Sequence, residues 1–405
     1  MNAASPSAPS ADGPLRGVRI LDLSTVLSGP VATTLLADQG ATVIKVEAPG
    51  PGDLTRQIST RRNGVTAMFQ LANRGKRAIT IDLRRELGLA VLHKLAASAD
   101  VFVQNFRPGV VDRIGIGYDA LRVLNPELIY LSISGFGSVG PLAQTKVYDN
   151  LIQAASGFAS GQAGADGAPT FIKNLACDKI TALTAAQAIT AALYARAMGR
   201  GGQHVELAML DAAVWFLWTD RATEFTWTGA DVNVLPSLSQ YDVTRFKDGW
   251  GTIAAVTDEE FAGLCRALDV AHIAEDPRFT TMTKRLSDPD YPHVYREIVQ
   301  GAAGQFTIGE ALRRLGEAKV PAVAAVSLSE IPDHPQIIAN GLIVDDEHPV
   351  AGPLQQPRPA ARFSATPAAA AAPAPLRGQD TDAILDELGY DASERDALRA
   401  DGAVA

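Results

Sequence analysis

Between Gly17 and Ala208 short aliphatic runs alternate with longer segments of helical period, and this alternation restricts the fold more than any other feature of the chain. "GVRILDL" (17–23) and "TVIKVEAPG" (42–50) are strand-like and flank "GPVATTLLADQGA" (29–41), which has Pro30 near a helix start and Gly40 near its end. "RAITIDL" (77–83), "DVFVQNF" (100–106) and "ELIYLSISGFG" (127–137) continue the strands, with "GLAVLHKLAASA" (88–99) as an intervening helix. Repeated βαβ units require a mostly parallel sheet covered by helices on both faces, so the expectation is an α/β, Rossmann-like large domain.

The remaining chain is read in the same way. A long helix is expected from Asp178 to Ala197, stopped by Gly199, Gly201 and Gly202, and "QHVELAMLDAAVWFLW" (203–218) reads as a strand entering a second buried helix. Beyond Thr219 the texture changes, with a hairpin expected around Lys247, Asp248 and Gly249 and a helix over "DEEFAGLCRALD" (258–269). At 405 residues a single core stops growing. The expected division is a disordered tail (1–14), a large α/β domain (15–218), a smaller α+β domain (219–329) and a C-terminal segment (330–405). In that segment "ATPAAAAAPAP" (365–375) reads as an extended linker and "DTDAILDELGY" (380–390) as a short amphipathic helix.

Composition narrows the function classes. A formal charge of −9 argues against nucleic-acid partners, although a local basic pocket for a phosphorylated ligand remains compatible with it. Two cysteines far apart in sequence, Cys177 and Cys265, fit neither a disulfide framework nor a thiolate zinc site, so a cytoplasmic protein is expected. His93, His204, His272, His293, His334 and His348 show no metal-ligand spacing, so no metal is expected, and no stretch reads as a membrane span. "STVLSGP" (24–30) lacks the glycine spacing of a dinucleotide turn even though Glu47 ends the second strand, and "GFGSVG" does not fit a serine-esterase elbow. His204 reads as a structural histidine.

Two features carry chemistry. "LACDKITALTAAQAI" (175–189) places one carboxylate, Asp178, at the mouth of a small apolar run, where it is either a helix N-cap or a nucleophile. "NRGKRAITIDLRR" (73–85) and "QNFRPGVVDRIG" (104–115) set Arg and Lys at strand ends, where phosphates collect, with Phe106 able to hold an adenine.

Seven ordered blocks, "LDLSTVLSGPVATTLLADQGATVIKVEAPGPGD", "NRGKRAITIDL", "QNFRPGVVDRIG", "SISGFGSVGP", "YDNLIQAASG", "CDKITAL" and "GRGGQHVELAMLDA", resemble the family III CoA-transferases, the group containing formyl-CoA and carnitine CoA-transferases. The resemblance implies transfer of CoA from an acyl-CoA to a carboxylic acid, with acyl-CoA and the small acid as substrates and no permanently bound cofactor. It matches the family's nucleophile to Asp178, so that the N-cap role becomes support for the nucleophile. CoA contacts are implied at Leu27, Ser28, Ile81, Asp82, Leu83, Arg84, Asn105, Phe106, Arg107, Arg113, Ser134, Gly135, Phe136 and Gly137. Where the formyl-CoA enzyme carries Gln, Arg, Lys and Tyr this chain has Leu27, Ala48, Ser134 and Phe136, which points to a bulkier or less polar acyl group than oxalate or formate. Two alternatives stand beside transfer. A 2-methylacyl-CoA racemase would need a base where Tyr148 lies, and an ordinary phenol of pKa ~10 is a poor one at neutral pH; a non-catalytic CoA-binding protein would use no nucleophile. Family members also resemble one another in an interlocked homodimer, which is the expected partner state. Lys179, next to a helix start, reads more readily as a solvated side chain than as an assistant to Asp178, and "GFASGQAGADG" (157–167) is expected to help make a tight, closable site.

Overall fold

The structure, a computed structural model, describes residues 13–164, 166–229, 243–369 and 371–405. The tail expected over 1–14 thus lies almost wholly outside the described residues. The chain divides into two compact units, one formed by Met1–Thr219 with Ala339–Ala405 and the other by Asp220–Ile338.

In the first unit the aliphatic runs form β1 (Arg19–Asp22), β2 (Thr42–Glu47), β3 (Lys76–Thr80), β4 (Val101–Gln104), β5 (Ile129–Ser134) and β6 (Gln203–Ala208). They hydrogen-bond in the order β3-β2-β1-β4-β5-β6, every pairing parallel, as the alternation requires. Side-chain alternation sorts their residues to opposite faces. Leu21, Val46, Ile79, Phe102 and Tyr130 pack with Val91, Leu92 and Leu95 of α3 (Glu86–Ala97), and with Leu385 and Leu398 of the C-terminal helices. Ile20, Val43, Val103, Leu131 and Ile133 pack instead on α1 (Ser28–Asp38) and on the long helix Ala176–Ala195.

Numbering the helices that matter below in chain order, α2 is Ala67–Asn73, α4 Tyr118–Leu124, α5 Asp149–Ala155, α6 Ala176–Ala195 and α7 Met209–Trp218. Alanines at 182, 185 and 192 keep the buried face of α6 narrow, which lets it lie against α1. The expectation that 209–218 is buried is corrected: Ala212 and Ala213 face the core, but Trp215, Phe216 and Trp218 are exposed. The run is too uniformly apolar to show which face meets the core, because its large side chains lie on the side away from it.

The second unit is built on β7 (Thr244–Phe246), β8 (Gly249–Ile253) and β9 (Ala322–Ala324), an antiparallel sheet with β8 central. Pairing of Phe246 with Gly249 makes the expected hairpin a tight turn at Lys247 and Asp248. Its core joins Phe246 and Ile253 to Phe261 and Leu264 of α8 (Asp258–Ala267) and Leu315 of α9 (Ile308–Glu317), and α8 begins with a capping box between Thr257 and Glu260.

After this unit the chain rejoins the first through a hairpin of β10 (Ile343–His348) and β11 (Gly352–Pro357). Residues 371–375, the end of the Pro/Ala stretch that reads as a linker, are docked: the Ala371 and Ala374 amides donate to Asp38 and Gln70, and the Gly75 amide donates to the Ala372 carbonyl. Alanines can bury their whole side chains at almost no entropic cost, so a segment of spacer composition serves as a packing strip. α10 (Thr381–Glu387) and α11 (Ala392–Asp401) follow, and Val404 pairs with Ile81.

Candidate active site

In an open parallel sheet the crevice opens where strand order reverses, at the carboxyl ends of the strands. Here the reversal lies between β1 and β4, and the loops leaving those strands, 23–27 and 105–109, face one another. Asn105 ties them together, accepting from the Thr25 amide at 2.9 Å and donating to the Thr25 carbonyl at 2.8 Å.

Three helices begin at this end. α1 starts at Ser28, α5 at Asp149 and α6 at Ala176. Gly29 is needed for the first of these, because a Cβ there would stand 2.2 Å from Ser24 Oγ. Asp178 sits in the first turn of α6 and makes no cap hydrogen bond, so the N-cap expectation is corrected. The free amide of Asp178 is instead satisfied by Asp149, whose Oδ2 accepts it at 3.0 Å. Asp149 is in turn held by Gln153, which donates to its Oδ1 at 2.6 Å and also fastens the 172–174 approach to α6 through Ile172 and Asn174.

The Asp178 carboxylate points away from its own helix. Ser28 Oγ donates to its Oδ1, and the Ser28 backbone N–H also reaches it. Burial raises the Asp178 pKa to about 6; the Ser28 hydrogen bonds oppose that rise, and the nearby Asp149 charge adds to it. A carboxylate so placed is ionised at neutral pH yet poorly solvated, a combination that favours nucleophilic attack. The adjacent Cys177 thiol is not a competitor: it is wholly buried, and burial together with Asp149 and Asp178 pushes its pKa up to about 12. Lys179 points to solvent.

Asp178 forms part of the wall of a 380 Å³ cavity. Of the residues matched to CoA contacts, Ser28, Asn105, Phe106, Arg107, Ser134 and Gly135 line it with Asp178. Phe106, Arg107 and Ser134 also line a neighbouring cavity of 530 Å³, together with Phe136 and Gly137. The others lie elsewhere. Leu27 is buried at the start of α1, and Ile81 is bridged to Val404. The Asp82 amide donates to the Ala403 carbonyl, and Asp82 holds an exposed Arg84 in a two-pronged ion pair next to Leu83. Arg113 ends the short helix Val110–Arg113.

Among the described residues of the glycine-rich stretch 157–167, none lines this cavity. The wall is made instead by Thr145, Lys146, Val147 and Tyr148, with Leu54 and Met209. The sequence reading missed Asp149, Lys146 and Met209. The "YD" pair that opens the helical run at 148 was the available signal for Asp149, since an acid ahead of an apolar helix invites a capping assignment. His204 is exposed in the wall of the 530 Å³ cavity, where its Nε2 lies 2.9 Å from Ser132 Oγ and its ring stacks on Tyr118. Among the described residues no group of three or more His, Cys, Asp or Glu side chains is arranged to hold a metal ion, and no helix is long and apolar enough to cross a membrane.

Residues 15–381 match the model of "CoA-transferase family III". A succinate–glutarate CoA-transferase from Agrobacterium fabrum is 34% identical, covering 94% of this chain and 97% of that protein. A formyl-CoA:oxalate CoA-transferase from Escherichia coli is 30% identical, covering 96% and 99%. Among solved structures, that of Rv3272 from Mycobacterium tuberculosis superposes with a TM-score of 0.81 at 30% identity, covering 92% of this chain and 99% of that one.

Proposed function

The chain belongs to CoA-transferase family III, and from that premise we propose that it moves CoA from an acyl-CoA to a carboxylic acid through a thioester on Asp178. The observation that carries this reading is a buried carboxylate in the wall of the switch-point cavity, its Oδ1 accepting from the Ser28 hydroxyl. Asp178 Oδ2 adds to the thioester carbonyl, and the C–S bond breaks to give an acyl-aspartyl anhydride and CoA thiolate. The thiolate then attacks the aspartyl carbonyl, releasing the acyl group as a carboxylate and leaving aspartyl-CoA. An incoming acid reverses both steps, so the thioester energy is retained.

Each tetrahedral adduct at the aspartyl carbonyl places negative charge on an oxygen beside the Ser28 donors and the starts of α1 and α6. Donors of this kind contribute about 3 kcal/mol each in other enzymes. Arg107 and Lys146 line the same cavity and suit the phosphates of CoA or a second carboxylate. The relatives' names support short dicarboxylic acids as the first acceptors to examine. The exposed Trp215, Phe216 and Trp218 support association of α7 with a second copy of the chain, in keeping with the expected homodimer.

The test is mass spectrometry of the protein incubated with succinyl-CoA, followed by glutarate, with oxalate as the smaller acid that Leu27, Ala48, Ser134 and Phe136 disfavour. A CoA adduct mapped to Asp178, discharged by the acid and absent from Asp178→Ala, is the expected result. Transfer at the parent rate by Asp178→Ala overturns the reading.

A further inference from the structure

Val26 adopts φ +70°, and it is the one β-branched residue among the described non-glycine residues with positive φ. That backbone is disfavoured for a side chain branched at Cβ and persists only where its surroundings impose it. Here they do, atom by atom. Asp53 Oδ1 accepts from the Val26 amide at 3.2 Å while also accepting from the Thr55 amide and hydroxyl at 2.9 and 2.8 Å. Lys45 Nζ, itself fully buried, lies 2.9 Å from Asp53 Oδ2 and donates to the Ser24 carbonyl at 2.8 Å. The Ser24 amide donates to Asp22, and Asn105 brackets Thr25. Ser24, Thr25 and Val26, the last three residues before Leu27, are therefore each held by a side chain from another part of the fold, and the next residue but one is Ser28.

We propose that Lys45 and Asp53 are positioning residues for the transfer reaction, acting through the left-handed backbone of Val26 to set the Ser28 donors against Asp178. This rests on the aspartyl-CoA reading above. Neither side chain lines the cavity, so their effect is on geometry alone. Burial would neutralise both groups, but Asp22, Asp53 and Glu47 around Lys45, and Lys45 with Thr55 around Asp53, keep the pair ionised. The two contacts of Lys45, to Asp53 and to the Ser24 carbonyl, are short, charge-assisted and shielded from water, which suits them to fixing a strained turn.

The experiment uses the full chain with Lys45→Met, Val26→Pro and Val26→Gly, after the parent has been shown to take up CoA on Asp178. Lys45→Met leaves Asp53 buried without its partner and tests the fold as much as the site. Val26→Pro removes the N–H and forbids positive φ within a partly exposed loop, so its thermal midpoint is expected within about 5 °C of the parent. Displacement of the Ser28 donors lowers kcat by roughly 100-fold in Lys45→Met and Val26→Pro. It also moves the acid limb of the kcat profile to higher pH, since Asp178 then keeps Asp149 and Lys179 as neighbours but loses its hydrogen bonds. Val26→Gly keeps the N–H and adopts the same φ freely, so it exceeds Val26→Pro by about tenfold or more. Folded Val26→Pro with the parent's kcat, or with lowered kcat and an unmoved acid limb, overturns the proposal. A parent protein that takes up no CoA on Asp178 overturns the functional reading beneath it.

Discussion

Replacing Ser28 by Ala removes one hydroxyl, 150 residues from Asp178 in sequence, and isolates the strongest contact of the proposed nucleophile. A hydrogen bond to a charged group contributes about 1.5–3 kcal/mol. At 1.36 kcal/mol per pKa unit its loss raises the Asp178 carboxyl by about one to two units, the desolvation being unchanged and the backbone N–H remaining. A limb near pH 6 in the parent therefore moves to about pH 7.5. At pH 7 the ionised fraction drops from about nine-tenths to about one-quarter, a roughly fourfold loss of rate from protonation alone that is recovered by pH 9. The assay is single-turnover formation of covalent CoA from succinyl-CoA between pH 5 and 9, followed by quenching and intact-mass measurement. An acid limb that stays where the parent's lies refutes the argument. A deficit that persists at pH 9 assigns the hydroxyl to the reacting oxyanion in addition to the resting carboxylate.

Asp149→Asn keeps an oxygen to accept the Asp178 amide but removes a charge that raises the Asp178 pKa, so the acid limb should move below pH 6; a move upward contradicts the electrostatics. Gly29→Ala drives a Cβ to within 2.2 Å of Ser24 Oγ and should cost about 1–3 kcal/mol in urea denaturation, with kcat falling as the start of α1 shifts. Asp22 is buried, but Lys76, Lys45, Ser24 and Thr33 hold its pKa down to about 2 from 3.8. A depressed carboxyl contributes stability above its unfolded value and loses it as pH falls through the folded one, so about 2 kcal/mol should vanish between about pH 4 and 2 in thermal melts. Cys177, with its thiol pushed up to about 12, should resist iodoacetamide at pH 8 in the folded protein and react after unfolding.

The legible part of this protein was the part governed by local period. Aliphatic runs such as Arg19–Asp22 and Val101–Gln104, separated by segments long enough for a helical crossover, admit little besides a parallel sheet, and the order of the sequence blocks singled out Asp178. Asn105, Phe106 and Arg107 were likewise placed at a strand end, where ligands gather, and they do line the cavity. What failed were inferences about direction. Asp178 in the third position of α6, rather than ahead of it, depends on where the 172–175 approach turns into helix, and that is set by Gln153 from another helix. Which side of α7 meets the core depends on α6, and both faces of that run read as apolar.

The sequence alone determined an α/β sheet, its crevice at strand ends and the identity of a family with a candidate nucleophile, because periodicity and motif order are properties of neighbouring residues. Only the tertiary structure decided that Ser28 and Asp149 meet Asp178, that Lys45 and Asp53 hold Val26 in a left-handed turn, and that Ile81 lies against Val404. Those contacts join residues tens to hundreds of positions apart. They exist only once strand order and helix packing have brought the elements together, and no local pattern encodes that distance.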